Sequence, residues 1–170
     1  AKKDQPIGKK PEIMKPTVYI ETSVISYLTA RTSKDIRAAA WQNITADWWD
    51  NRRADFDLYI SEFVVAEASR GNIDAAARRM STLVDIRELE ATEEVKLVAE
   101  ALLNHGSLPP KAELDAYHVA IAAVNGIDFL LTWNCTHIAN AVMRPKIESV
   151  CRLLGYEPPI ICTPSELLEG

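Results

Sequence analysis

Three carboxylates in this chain of 170 residues occupy positions where an amphipathic element would not place them. Glu21 directly follows the strand-like segment 17–20, Glu67 lies in an otherwise apolar helical segment, and Asp115 opens a nearly all-apolar helix. Burying one isolated carboxylate is costly, and three converging carboxylates repel each other unless a cation neutralises them. Hard divalent cations prefer carboxylate oxygen as a ligand, so the set predicts a site for Mg²⁺ or Mn²⁺.

Each of these carboxylates also has a purely structural interpretation. Glu21 could cap the helix that follows it, and Glu67 could pair with Arg70 on a helix surface. Asp115 could complement the dipole in the first turn of its helix. No single position separates the two interpretations, so the predicted metal site depends on the three residues as a set.

The elements that must position these side chains alternate between short apolar strands and helices. This alternation predicts an α/β fold with a mainly parallel sheet. The predicted strands cover residues 17–20, 57–60, 84–89, 129–131 and 160–161, and residues 136–154 are predicted to be mostly helical with an interruption at Pro145. In open α/β sheets, ligands bind at the carboxyl ends of the strands, which is where Glu21 lies.

Composition and charge limit the class of protein. The longest apolar run is far shorter than the roughly twenty residues that a membrane span needs, so no membrane association and a cytoplasmic location are expected. The three cysteines lack CxxC spacing, which is typical of reduced thiols rather than a structural zinc site. Residues 1–16 are rich in lysine and proline and are predicted to form a disordered N-terminal extension, followed by one domain over residues 17–170.

The net charge of −5 does not favour nucleic-acid binding by charge alone. A metal ion or a local basic patch would have to overcome the repulsion between this chain and phosphate. The best candidates for such a patch are Arg52, Arg53, Arg70, Arg78 and Arg79, with a solvated helix surface as the alternative.

Four segments in order resemble the motifs of PIN domains. Residues 18–25 (VYIETSVI) resemble the opening motif, in which the first strand ends in an acid followed by Thr or Ser. Residues 61–67 (SEFVVAE) are similar to the second motif, whose last Glu is a metal ligand. Residues 115–122 resemble the third motif, where the Asp is a ligand and the His packs, and residues 130–138 resemble the fourth. Many members of this family are VapC-type toxins of bacterial toxin–antitoxin pairs.

The resemblance implies a PIN-like three-layer α/β/α fold with a central, mainly parallel sheet of four to five strands. It also implies a Mg²⁺- or Mn²⁺-dependent endoribonuclease that cleaves RNA to leave 3′-hydroxyl and 5′-phosphate ends, with an antitoxin protein and a second copy of the chain as partners. The implied metal ligands and catalytic residues are Glu21, Glu67 and Asp115. Asn134 is the further catalytic residue and would orient water or substrate. Supporting hydrogen bonds or substrate contacts are expected from Ser23, Thr132 and His137. Trp41, Trp48 and Trp49 are expected in the core, with a dimer face or antitoxin groove as the alternative.

Two departures from the family pattern keep other functions open. The family usually has Asp where this chain has Glu21, and the fourth motif commonly supplies acids where Asn134 and His137 stand. The main alternative is therefore a catalytically weakened PIN-fold module that binds RNA or protein, and a small-molecule phosphatase is a third. His118 shares a helix side with Asp115 and could chelate a softer metal, although a packed, hydrogen-bonded histidine is the favoured interpretation.

Overall fold

The computed structural model describes residues 14–170. The predicted extension over residues 1–16 therefore lies outside the described residues, except for its last three. The described chain contains one five-stranded sheet whose neighbouring strands all pair in parallel. In chain order the strands are β1 (Thr17–Ile20), β2 (Asp57–Ser61), β3 (Arg87–Leu89), β4 (Phe129–Leu131) and β5 (Ile160–Cys162). The predicted α/β class with a parallel sheet is confirmed.

Seven α-helices connect these strands within residues 14–170. They are α1 (Thr22–Thr29), α2 (Ile36–Asn51), α3 (Glu62–Ala68), α4 (Ile73–Leu83), α5 (Glu93–Asn104), α6 (Glu113–Val124) and α7 (Arg144–Leu153). Helix α1 contacts α2 and α4, and α5 contacts α6 and α7, so the helices form an outer layer on each side of the sheet. This is the three-layer α/β/α arrangement that the sequence predicted.

Local sequence explains where the helices begin and where the core lies. Asn72 accepts a hydrogen bond from the backbone of Ala75 and so caps α4. Gly71, just before this cap, adopts a φ of 86°, a left-handed conformation that glycine tolerates best. The last three residues of β1 and most of α6 are buried, as their largely apolar sequences require. Trp48 and Trp49 are also buried, and Trp41 packs against the core that contains them, so the core interpretation of the tryptophans is confirmed.

The strand order places the carboxyl ends of β1 and β4 side by side. The order is β3-β2-β1-β4-β5, so the chain first builds outward from β1 on one side and then returns to place β4 on the other. Ile20 pairs with Leu131 in the register of β1 and β4. Their successors, Glu21 and Thr132, are therefore neighbours at the point where the winding direction reverses, which is where α/β sheets bind ligands.

Two predicted elements were wrong in their bounds. Strand β3 begins at Arg87 rather than at Val84, because α4 continues to Leu83 and Val84 lies in the turn that follows, with 78% of its surface exposed. Pro145 does not interrupt a helix, because α7 begins at Arg144 and places this proline in its first turn. A proline is well tolerated there, since the missing N–H would have no helical partner anyway. No helix within residues 14–170 combines the length and apolar composition needed to cross a membrane.

Candidate functional site

Glu21 is held at the end of β1 by three donors. Its Oε2 accepts hydrogen bonds from the backbone N–H of Ser23 at 3.1 Å, from the Ser23 hydroxyl, and from the Thr132 hydroxyl at 2.8 Å. The bond from the Ser23 backbone makes Glu21 the N-cap of α1, so the structural interpretation of this residue also holds. All three bonds end on the same oxygen, and only 5% of the residue's surface is exposed. One carboxylate oxygen is thereby fixed in place.

Glu67 reaches the same region from the last turn of α3. Its Oε1 accepts hydrogen bonds from the Thr22 hydroxyl at 2.9 Å and from Nε2 of His118 at 2.6 Å. Arg70 forms no ion pair with Glu67 among the described residues, so the predicted surface pair is not how this carboxylate is held. Glu67 instead points toward the end of β1, between α1 and α6.

The contact between Glu67 and His118 favours the charged form of both side chains. Burial alone would raise the pKa of Glu67, but the hydrogen bond and the positive charge of His118 outweigh it and lower that pKa. Burial likewise lowers the pKa of His118, and it is outweighed by the Glu67 hydrogen bond and the charges of Glu21, Glu67 and Asp115, so the pKa is raised. The hydrogen bond between them therefore favours the ionised carboxylate of Glu67 and proton binding by His118.

Tyr19 and Ser61 extend this contact into the protein interior. The Tyr19 hydroxyl lies 2.6 Å from Nδ1 of His118 and 2.7 Å from Oγ of Ser61. Burial raises the pKa of Tyr19 well above its usual value, so it remains a neutral phenol. The Tyr19 hydroxyl therefore links His118 to Ser61, because it lies within hydrogen-bond distance of both side chains. Both ring nitrogens are engaged, so His118 is the packed, hydrogen-bonded histidine that the sequence favoured.

Asp115 is held by the segment that follows β4. Its Oδ1 accepts a hydrogen bond from the Asn134 amide at 3.0 Å, and its Oδ2 lies 2.8 Å from Nδ1 of His137. Asn134 also accepts the backbone N–H of His137 through Oδ1 at 3.0 Å, which closes a small turn around the carboxylate. Asp115 therefore faces the end of β4 and contacts both residues that depart from the family's acidic pattern.

Backbone hydrogen bonds tie this segment to the Glu21 side of the site. The Thr132 hydroxyl, which donates to Glu21, also accepts the backbone N–H of Asn134 at 2.9 Å. The backbone N–H of Trp133 donates to the Ser23 hydroxyl at 2.8 Å. As a result Glu21 and Asp115 belong to one hydrogen-bonded network, although each is held by different donors.

The donor set fits a divalent cation at Glu21 and Glu67. Ligand atoms of Glu21, Glu67 and His118 lie within 4.8 Å of one another, whereas Asp115 is not part of that tight group. Among the hydrogen bonds of residues 14–170, those to Glu21 all end on Oε2 and those to Glu67 all end on Oε1. The other oxygen of each carboxylate is left to bind a cation, while both oxygens of Asp115 already accept protein hydrogen bonds.

Three contributors to this site were missed at the level of sequence. Thr22 donates to Glu67, Tyr19 contacts His118, and Trp133 holds Ser23 through its backbone. A signal existed for the first two, because Thr22 directly follows Glu21 and Tyr19 places a hydroxyl in an otherwise apolar buried strand. The role of Trp133 depends on its backbone N–H, which the residue type does not reveal.

Solved structures with the same fold are toxins and toxin–antitoxin complexes. The chain is similar to VapC20 of Mycobacterium tuberculosis, a toxin that cleaves the sarcin–ricin loop, with 18% identity and a TM-score of 0.56 over 72% of this chain and 94% of that one. It is also similar to VapBC-1 of nontypeable Haemophilus influenzae, with 14% identity and a TM-score of 0.55 over 88% of this chain and 98% of that one. No protein-family model and no curated protein sequence matches the chain.

These likenesses confirm the fold that the four motifs predicted. The five parallel strands and the two helical layers are those of the PIN-like fold, and VapC toxins share it. At identities this low the likeness describes the fold, and function must be argued from the residues of the site.

Proposed function

We propose that this protein is a divalent-metal-dependent endoribonuclease and the toxin of a toxin–antitoxin pair. The observation that supports it best is the pair Glu21 and Glu67, each with one oxygen fixed by hydroxyl or imidazole donors and the other left for a cation. A network this specific around two carboxylates is costly to assemble without a ligand, because their charges repel each other.

The residues divide into two groups by what their atoms touch. Glu21 and Glu67 would bind the cation directly, and Asp115 would bind it directly or through water while Asn134 and His137 hold its carboxylate. Ser23 and Thr132 fix the orientation of Glu21. Metal sites of this kind depend strongly on such supporting hydrogen bonds.

The chemistry proposed for this site is hydrolysis of an RNA phosphodiester bond. A bound Mg²⁺ or Mn²⁺ supplies a Lewis acid for a phosphoryl oxygen and lowers the pKa of an attacking water. The imidazole of His137 and the amide of Asn134 lie on the Asp115 side, where they can donate to water or to a phosphate oxygen. RNA as the substrate is supported by the PIN-like fold and by the toxin VapC20, which shares it.

An RNA-cleavage assay with purified protein tests the proposal. We expect cleavage with Mg²⁺ or Mn²⁺, none with EDTA, and none for Asp115→Asn or Glu67→Gln. Asp50→Asn is a matched control, because Asp50 is an exposed carboxylate on α2 away from the carboxyl edge of the sheet. The products should carry 3′-hydroxyl and 5′-phosphate ends, whereas contaminating nucleases of the metal-independent type leave cyclic phosphates.

The outcomes of this assay separate the proposal from its alternatives. Equal cleavage by Asp115→Asn and the unaltered chain would assign the activity to a contaminant. Absence of cleavage together with absence of Mn²⁺ binding would favour the non-catalytic RNA- or protein-binding module. Hydrolysis of small phosphate esters without cleavage of RNA would favour a phosphatase.

The toxin role is tested in cells. Expression of the chain in a bacterial host should arrest growth, and the Asp115→Asn variant should not. Coexpression of a short gene adjacent to the one that encodes this chain should restore growth if it encodes the antitoxin. The proposed homodimer is tested by light scattering on the purified chain, alone and with that partner.

A further inference from the structure

Three arginines line a cleft near the carboxylate site. Their positive charge distinguishes this cleft from the rest of the protein, which is acidic overall. The cleft has a volume of about 350 Å³ and lies between the end of α1 and the start of α4. Its cationic side chains are Arg31, Arg78 and Arg79, and the one carboxylate in its lining is Asp74. Within residues 14–170 none of the three arginines forms an ion pair with an acid. In a chain of net charge −5, this cleft is a local concentration of positive charge that attracts anions.

Two of the arginines are held in fixed positions by backbone carbonyls. Nε of Arg78 donates to the Thr29 carbonyl at 3.0 Å, and Nε of Arg79 donates to the Ala68 carbonyl at 2.9 Å. The Thr29 bond uses one of the five N–H donors of Arg78, so helix capping alone does not account for that residue. A guanidinium fixed in this way loses little entropy on binding, and its planar fork suits a phosphate.

Helix α1 and the end of α3 connect the cleft to the carboxylate site. Ala68, whose carbonyl accepts Arg79, directly follows Glu67. Helix α1 runs from the Glu21 cap to Thr29 at the cleft, and the six steps from Ser23 to Thr29 span about 9 Å at the rise of an α-helix. A few nucleotides of RNA can cover that distance.

We infer that the cleft of Arg31, Arg78 and Arg79 is a phosphate-binding subsite for the RNA strand on one side of the scissile bond. This inference rests on the proposed ribonuclease function. It proposes the surface along which the RNA extends from the carboxylates. An acidic peptide of a partner protein is the competing occupant. The planar guanidinium fork suits a phosphate, and the cleft lies within a few nucleotides' reach of the carboxylates, which favours the nucleic acid.

Binding of a short fluorescein-labelled single-stranded RNA tests the inference, with Asp115→Asn as the parent so that the probe is not cleaved. The double variant Arg31→Gln, Arg78→Gln should bind about 10-fold more weakly, and the slope of log K against log salt should fall by about 0.7 for each phosphate that is no longer neutralised. Arg31→Glu is a second variant that keeps the helix contacts, because the Arg31 side chain makes no hydrogen bond within the described residues. Arg152→Gln removes one positive charge from α7, outside the cleft, and serves as the control for a general loss of charge.

Each outcome either supports or overturns the subsite. Weaker RNA binding and a smaller salt slope in both cleft variants, with Arg152→Gln unchanged, support it. RNA binding equal to the parent in both variants overturns it, and the proposed ribonuclease stands if the unaltered chain still cleaves RNA. Loss of binding to a polyglutamate peptide with RNA binding retained overturns it in favour of a protein partner. A parent that binds no RNA overturns both proposals.

Discussion

Glu21 stands where PIN motifs usually carry aspartate, and its surroundings account for the longer side chain. The carboxylate turns back to accept the backbone N–H of Ser23 at the start of α1, and two hydroxyls hold the same oxygen. The extra methylene allows this capping contact while the second oxygen stays on the side of Glu67. The departure from the family pattern is therefore compatible with a metal site, provided that the hydroxyl donors are present.

The first prediction concerns Thr132, whose buried hydroxyl donates to Glu21 and accepts from the backbone of Asn134. Thr132→Val keeps the shape and removes that hydroxyl. Loss of a supporting hydrogen bond of this kind typically weakens metal binding by about 10-fold or more. Titration calorimetry with Mn²⁺ measures the effect, and Thr132→Ser should retain the affinity of the unaltered chain. Equal Mn²⁺ affinity for the Val variant would show that Glu21 does not bind the ion.

The second prediction concerns Tyr19. Tyr19→Phe removes one hydroxyl and leaves Nδ1 of His118 without its partner, while the Ser61 hydroxyl still accepts the backbone N–H of Phe63. An unsatisfied buried polar group costs about 1–3 kcal/mol, so urea denaturation should show a loss of that size in the free energy of unfolding. Tyr59→Phe is a suitable control, because the Tyr59 hydroxyl contacts only the exposed Arg87 side chain. A Tyr19 variant as stable as the Tyr59 one would contradict the buried network.

The third prediction concerns the three cysteines. Cys135 is exposed, and Cys151 and Cys162 are buried. Burial raises the pKa of Cys151 to about 11 and that of Cys162 to about 12. At pH 8 their thiolate fractions are on the order of 0.1% and 0.01%, and the thiolate is the reactive form. Ellman's reagent should therefore modify one thiol quickly in the folded protein and three in denaturant. Three fast thiols without denaturant would contradict this burial.

At the scale of elements, the sequence predicts strands better than the contacts between them. The predicted bounds of β1 and β4 agree with the structure. Both strands are largely buried, so each is a nearly continuous apolar run whose ends are easy to recognise in the sequence. A capping box forms at Thr163, with Pro164 following it, as is typical of the sequence Thr-Pro-Ser-Glu over residues 163–166. Val84 was misassigned because a short alternating run is compatible with both a strand and a turn. Pro145 was misassigned because a proline can either interrupt a helix or occupy its first turn.

Side-chain partners could be predicted only where residues lie close in sequence. Glu21 was recognised as a cap because its donor is two residues away. The partner of Glu67 is 51 residues away on α6, and the partner of Asp115 is 22 residues away after β4. Those pairings depend on the strand order, and a single sequence does not specify which strands become neighbours.

The fourth prediction concerns the segment after β4 and its anchor in α2. Nε1 of Trp133 donates to Thr45 at 2.7 Å, and the Trp133 ring stacks on Trp41 at 4.7 Å between centroids. Thr45→Val leaves the buried indole N–H unsatisfied and should lower the free energy of unfolding by about 1–3 kcal/mol. Because Trp133 also holds Ser23, RNA cleavage should fall as well. Thr45→Ser should restore both, and a Val variant with full stability and cleavage would show that this anchor is unimportant.

Across the whole molecule, a cation bound at the acidic site would stabilise the folded state. Glu21, Glu67 and Asp115 are carboxylates in a protein of net charge −5, and His118 lies beside Glu21 and Glu67. A ligand that binds the folded chain and not the unfolded one raises the free energy of unfolding according to its concentration and affinity. The fold and the proposed metal site are therefore linked, and thermal stability reports on both.

The fifth prediction follows from this linkage. At about 100 times its dissociation constant, Mn²⁺ should stabilise the fold by about 2.7 kcal/mol, which for a chain of this size raises Tm by about 5–10 °C. Calorimetry with Mn²⁺, with Mg²⁺ and with EDTA at matched ionic strength measures the shift. Glu67→Gln should abolish it, because that variant lacks a ligand charge, while Asp50→Asn should keep it because Asp50 is an exposed residue on α2. If millimolar Mn²⁺ does not change the Tm of the unaltered chain, these carboxylates do not bind a metal ion and have only a structural role.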